Sequence, residues 1–322
     1  MEVNMSEKRM TMLYKLEGTD VLRNDRFFNE EKVDAILEFQ DAVVDVVMKE
    51  VVGVNYKISD VSKLIKEMAC ELGVVEAEKV QEFLKDSNKL QNLIACLCSG
   101  KRAEKHVYRQ VYTTPIPKLI MNNIELYHDE VGEGEIDLIA ITERGVYLLE
   151  VKQNCQNMIL TESGNYMTEK GKIISNLPER MNVKEFLLRQ ALTSWSENTG
   201  KKIKIETMVL LANTDMKLED EYDGLLYCYP AQFVAHLRNS TNEAIYSCED
   251  MEQMAEAIER SQMKKSYPID YDFKKYAEEL VDVVMFLDKV KMESEKKEKT
   301  ECGSGIFEEE VILGLRESLA KI

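Results

Sequence analysis

EIDLIAITERGVYLLEVKQ, residues 135 to 153, decides the fold. Two apolar runs of strand length, LIAI and VYLL, flank a turn near Glu143, Arg144 and Gly145, so the stretch reads as a β-hairpin. If the loop holds two or four residues, paired positions sum to 287, and Asp137 lies directly opposite Glu150 on the same face. Directly opposed residues bring their Cβ atoms to about 4.5 to 5.5 Å. Two carboxylates that close repel each other unless a cation lies between them, and a hard divalent ion suits oxygen ligands. The period of two along a strand puts Lys152 on the face of Glu150, one step on. A three-residue loop would shift the register by one and separate the acids. Apolar residues flank the motif on both faces, so hydrophobicity does not choose between these registers.

The surroundings of these charges matter as much as their spacing. LIAI and VYLL are side chains of an interior strand, and charged groups are rarely placed there without partners. The same spacing also accommodates a plain salt-bridge cluster of Asp137, Glu150, Glu135 and Lys152. Two residues outside the hairpin bear on the choice. Glu104, on a helix opening near Lys101, is in line with Val107, Tyr108 and Val111, the stripe that faces the sheet. Gln190, on a helix expected over 182 to 198, is in line with Val183, Phe186 and Leu187.

Together these residues resemble the nuclease-related domain (NERD) branch of the PD-(D/E)xK phosphodiesterases. The resemblance runs from SGKRAEKHV at 99 to 107, through GEIDLIAITERGVYLLEVKQ at 134 to 153, to about residue 238. Gly100 and Glu104 match a glycine followed by an acid on the first helix. Glu135, Ile136 and Asp137 match an E-I-D strand, and Glu150 and Lys152 match E-x-K after a glycine turn. The family's downstream helix opens with Asn-Pro and carries a glutamine soon after; here Asn182 lacks the proline and Gln190 comes late.

The resemblance implies a three-layer, restriction-endonuclease-like α/β core with a mixed sheet, flanked by N- and C-terminal helical regions. It implies one or two Mg²⁺ or Mn²⁺ ions held by Asp137, Glu150, the Val151 carbonyl and Glu104. Lys152 would orient a water and neutralise developing charge, with Glu104 and Gln190 completing the catalytic set. The implied substrate is nucleic acid, DNA ahead of RNA. A non-catalytic nuclease-fold protein, acting as an interaction or regulatory module, is the competing expectation.

Working outward, Ile36, Phe39, Val43, Val47 and Val51 recur at three- and four-residue steps, and residues 60 to 73 and 76 to 98 read similarly. The expected organisation is a helical region over 1–99, the nuclease domain over 100–238 and a C-terminal helical region over 239–290. A flexible linker over 291–305 (KMESEKKEKTECGSG) and an amphipathic tail helix over 306–322 complete it. The arms and the tail helix offer surfaces for a protein partner or a second copy.

The net charge of −17 argues against a nucleic-acid enzyme at first sight, because phosphate binding usually rests on a basic surface. Its distribution softens the objection. Residues 1–99 carry −6, residues 100–238 only −3, and residues 239–322 carry −8. Seven scattered cysteines with no CxxC pair, and only three histidines, argue against a disulfide framework and a zinc site. No apolar run approaches the roughly 18 residues that span a bilayer. The opening residues lack a signal-peptide pattern, so the expected location is cytoplasmic and off the membrane.

Overall fold

Helices α1 (Glu30–Met48), α2 (Ile58–Glu71) and α3 (Glu78–Tyr112) come first in the computed structural model. It describes residues 30–48, 56–154, 156–263, 269 and 271–298. Strands β1 (Lys118–His128), β2 (Gly132–Thr142), β3 (Gly145–Lys152), β4 (Met158–Leu160), β5 (Asn165–Thr168) and β6 (Ile173–Asn176) follow. Then come α4 (Leu177–Thr199), β7 (Ile205–Leu211), β8 (Leu218–Asp220), β9 (Tyr227–Cys228), α5 (Pro230–Asn239), α6 (Cys248–Ser261) and α7 (Phe273–Glu298). The described chain divides into two units: 99–263 in one, 31–98 with 269–298 in the other.

In the first unit the main sheet has the order β1-β2-β3-β7-β9. The first three strands are antiparallel, and β7 and β9 run parallel to β3, so the sheet is mixed. Apolar side chains leave both faces. Ile139, Ile141, Val146 and Leu148 pack with Met181, Leu188 and Leu192 of α4 and with Met251, Met254 and Ile258 of α6. Leu138, Ala140, Tyr147 and Leu149 pack with Val107, Tyr108 and Val111 of α3 and with Phe233 and Leu237 of α5. A sheet so covered needs continuous apolar runs, which is what LIAI and VYLL supply. The result is a three-layer α/β core. A second mixed sheet, ordered β6-β5-β4-β8, belongs to the same unit.

Helix α4 begins earlier than the expected 182, and the reason is local. Asn176 accepts the Glu179 N–H at 3.1 Å as N-cap, with Pro178 in the first turn where its missing N–H costs nothing. Gly200, at φ 69°, closes the helix in the left-handed conformation. The break expected near Gly100 is absent, and α3 runs unbroken from Glu78 to Tyr112. One interior glycine costs only about 1 kcal/mol against alanine, which the packed stripes on either side outweigh.

Packing partners differ from the expected linear arrangement in the C-terminal third. α6 packs into the sheet unit, whereas Tyr276, Leu280, Val284 and Leu287 of α7 share a core with Ile36, Phe39, Val43, Ile58, Ile65 and Phe83. Ser87 and Tyr276 join their hydroxyls at 3.1 Å inside that core. α7 also runs to Glu298, through the first half of the stretch expected as linker. KMESEKKE holds no glycine or proline and consists mainly of good helix formers, with Lys289 and Glu293 facing each other one turn apart at 3.9 Å. The rest of that linker and the tail helix lie outside the described residues. No helix among the described residues is long and apolar enough to cross a membrane.

The start of α6 carries one testable device. Ser247 Oγ accepts the Asp250 N–H at 3.2 Å, while the buried Asp250 carboxylate accepts from the Ser247 N–H and hydroxyl, each at 2.7 Å, and from Lys201 at 2.5 Å. Asp250→Ala removes that acceptor and strands its donors, so urea unfolding should show a loss of about 1 to 3 kcal/mol. A loss under about 0.5 kcal/mol would place the hold on α6 elsewhere, since stranding buried donors costs about 1 kcal/mol or more.

Candidate active site

The β2–β3 hairpin closes through a two-residue loop, Glu143 and Arg144, with Thr142 paired to Gly145 and Leu138 to Leu149. This is the register in which positions sum to 287, so Asp137 and Glu150 are the next opposed pair. The ladder stops just before them. β2 continues only against β1, down to Gly132 opposite His128, while Glu150, Val151 and Lys152 pair only with Val209, Leu210 and Leu211 of β7. The two strands therefore fork, and each tine carries one acid at the opening.

Side chains replace the backbone ladder inside the fork. The Val151 N–H donates to Asp137 Oδ2 at 2.7 Å. The Lys152 carbonyl accepts the Ala212 N–H at 2.9 Å, on the β7 side. Consecutive residues of a strand direct their N–H and C=O groups to opposite edges, so the Val151 carbonyl points, with its N–H, into the fork. On the other side of β2, Asn123 has φ 49° and interrupts the β1 ladder directly opposite Asp137, between the pairs Asn122–Leu138 and Ile124–Ile136. Asparagine is among the few non-glycine residues that tolerate this region, and such strain gathers at sites where backbone direction serves a function.

Two lysines complete the cluster. Lys152 Nζ lies 2.5 Å from Glu150 Oε1. Lys184 of α4 reaches both acids, touching Glu150 Oε2 and lying 3.4 Å from Asp137 Oδ1. Its burial follows from the approach of α4 to the start of β2, since a Cβ on Gly134 would come within 2.7 Å of Leu187 Cδ1. Glu150 is 2% exposed and Lys184 5%, so these charges depend on one another rather than on water.

The electrostatics separate the two acids. Burial, reinforced by the charge of Glu150, raises the Asp137 pKa above the usual aspartate range despite the opposing lysines and the Val151 N–H. Burial would raise Glu150 too, but the charges and hydrogen bonds of Lys152 and Lys184 outweigh it and bring its pKa down to about 2. For Lys184, burial favours the neutral amine, yet Asp137 and Glu150 win and raise its pKa. Two carboxylates of one cluster are thus driven in opposite directions by their surroundings.

The other expected residues stand as follows. Glu104 is buried on α3, whose stripe packs against the sheet face opposite that of α4. Among the described residues no three acidic, histidine or cysteine side chains converge as a ready metal cage. Gln190 is exposed, and the residue that α4 turns toward the acids is Lys184. Lys184 had a legible signal: it sits in the stripe Leu177, Met181, Leu188, Leu192, Trp195, all buried, where an apolar residue belongs.

The fork suits a divalent ion in donor chemistry. Asp137, Glu150 and the Val151 carbonyl offer oxygen only, the preference of Mg²⁺ and Mn²⁺, and the bridging ammonium of Lys184 shows that positive charge fits between the carboxylates. A mixed sheet layered between helices, forked at its centre to present an acid, a second acid and a lysine, defines a restriction-endonuclease-like core. Residues 99–212 match the family model of the nuclease-related domain, the family that the hairpin motif resembles. No curated protein and no solved structure matches the chain.

Proposed function

We propose that the protein is a divalent-metal-dependent phosphodiesterase acting on nucleic acid, DNA in preference to RNA. The fork carries this reading: a scaffold has no need to open its central ladder around two opposed acids, one of them buried. Asp137 and Glu150, with the Val151 carbonyl, would hold Mg²⁺ or Mn²⁺, which supplies water activation and charge stabilisation at the phosphorus. The Val151 N–H fixes the Asp137 carboxylate so that its second oxygen faces Lys184. Lys152, 18% exposed, reaches outward from Glu150 and can meet a phosphate oxygen while neutralising the charge that develops there.

One observation favours a second reading. Lys184 already neutralises both acids, so the cluster also satisfies itself as a structural ion network in a non-catalytic module. Incubation of the full chain with single-stranded, duplex, circular DNA and RNA, with and without Mg²⁺ or Mn²⁺, separates the two. The expected result is ion-dependent cleavage that EDTA stops. Intact substrate in every lane, with a folded protein, supports the module instead.

A further inference from the structure

We propose that Lys184 is a built-in counter-cation of the fork: it holds the position between Asp137 and Glu150 that a divalent ion takes, and the ion enters by exchange against its ammonium. The inference rests on the metal-dependent reading above and adds to it a residue outside the acid and lysine motif.

The arrangement accounts for all four carboxylate oxygens. Asp137 Oδ2 accepts the Val151 N–H and Glu150 Oε1 accepts from Lys152, so each acid has one oxygen on the β3 side. The remaining two, Asp137 Oδ1 and Glu150 Oε2, both face Lys184. A single ammonium thus bridges the two strands at the point where they part, as a metal ion bridges opposed carboxylates. Lys152 cannot take that role, since it touches Glu150 alone.

The charge count points the same way. Two carboxylates and two ammoniums leave the cluster neutral, which allows it to be buried without an ion. Adding a divalent cation with Lys184 in place would put two positive charges into excess in a buried site. With Lys184 withdrawn, the acids, Lys152 and the ion leave a single positive charge, the complement of one phosphodiester. Lys184 therefore lowers the affinity of the free protein for the ion while holding the acids apart from each other's repulsion. It is a positioning residue, not one that touches the reacting atoms.

The test uses the full chain with Lys184→Met, which removes the charge at similar length, and Lys184→Gln, which keeps a hydrogen-bond donor. Mn²⁺ is titrated without nucleic acid by calorimetry and by loss of the free Mn²⁺ electron-spin signal, beside unfolding curves in EDTA and in Mn²⁺. Both variants should bind Mn²⁺ about tenfold tighter or more, because a like charge next to the ion is gone. Both should also melt lower in EDTA and regain stability with Mn²⁺ by more than the wild type does. Unchanged or weaker Mn²⁺ binding by a folded variant overturns the exchange. So does failure of both variants to fold even with Mn²⁺ present, which would make Lys184 indispensable alongside the ion. Tighter binding by the variants with no cleavage by the wild type keeps the exchange and sinks the nuclease reading. Cleavage by the wild type with unaltered affinity in the variants does the reverse, and no Mn²⁺ bound by any of the three proteins overturns both.

Discussion

Asp137→Asn is expected to abolish divalent-ion binding and cleavage while leaving the ion-free protein as stable as the wild type, or more so. Asparagine keeps an oxygen for the Val151 N–H, which now reaches Oδ2 at 2.7 Å. It removes a charge that the fold holds at a cost, since burial and then Glu150 push the Asp137 carboxyl toward its neutral form. A residue kept ionisable where the fold opposes its charge is the trade of stability for activity seen at functional sites. Losing a ligand should remove several kcal/mol of transition-state stabilisation, roughly a hundredfold to a thousandfold in rate or more.

Lys152→Met should behave differently in one assay and alike in the other. It takes away a cation from beside Glu150, so Mn²⁺ affinity should hold or rise, yet cleavage should fall by roughly 10² to 10⁴ if the lysine assists proton transfer and charge neutralisation. Calorimetric Mn²⁺ titration of both variants, read beside single-turnover cleavage, decides the matter. Equal Mn²⁺ affinity in the wild type and Asp137→Asn would show that the carboxylate is no ligand. Full cleavage by Lys152→Met would remove the lysine from the mechanism.

How much of this was legible in the sequence depends on which physical signal each feature left. The hairpin register follows from strand period and a short loop, so arithmetic on positions 137 and 150 finds the pair that the structure puts at the fork. The fork itself leaves no such trace, because where two strands part depends on what covers the sheet. On α4 the sequence pattern of Val183, Phe186 and Leu187 points to Gln190, whereas the buried line runs through Met181, Lys184 and Leu188. A lysine in an apolar stripe reads as a lapse in periodicity unless its carboxylate partners, 34 and 47 residues away, are already in view. The short strands β5, β6, β8 and β9 have at most four residues each, too few for alternation to register. The pairing of α7 with the N-terminal helices is a case of the same limit, since a stripe shows that a face is buried and not against what.

Glu150→Gln should be the most destabilising of the fork substitutions in the ion-free protein, and its effect should depend on pH in a defined window. Glu150 is the hub, accepting from Lys152 at 2.5 Å and from Lys184 while 2% exposed. Without its charge two ammoniums are left with Asp137 alone, and breaking a buried ion cluster from one side costs roughly 3 to 5 kcal/mol. The sign with pH follows from its lowered pKa. The stabilisation is complete above the usual glutamate value of 4.5 and is lost as pH falls toward about 2, a shift equivalent to on the order of 3 kcal/mol. Asp137 runs oppositely: its pKa is raised, so its penalty disappears as acid protonates it, and Asp137→Asn should lose its advantage over the wild type on acidification. Urea unfolding in EDTA at steps from pH 7 to pH 3, for the wild type and both variants, gives the differences directly and cancels the other carboxylates of the chain. The gap between the wild type and Glu150→Gln should narrow below pH 4.5. A gap that stays constant across that range would mean that Glu150 is not held ionised by the two lysines, and the fork would then lack the charge distribution on which both ion binding and exchange with Lys184 depend.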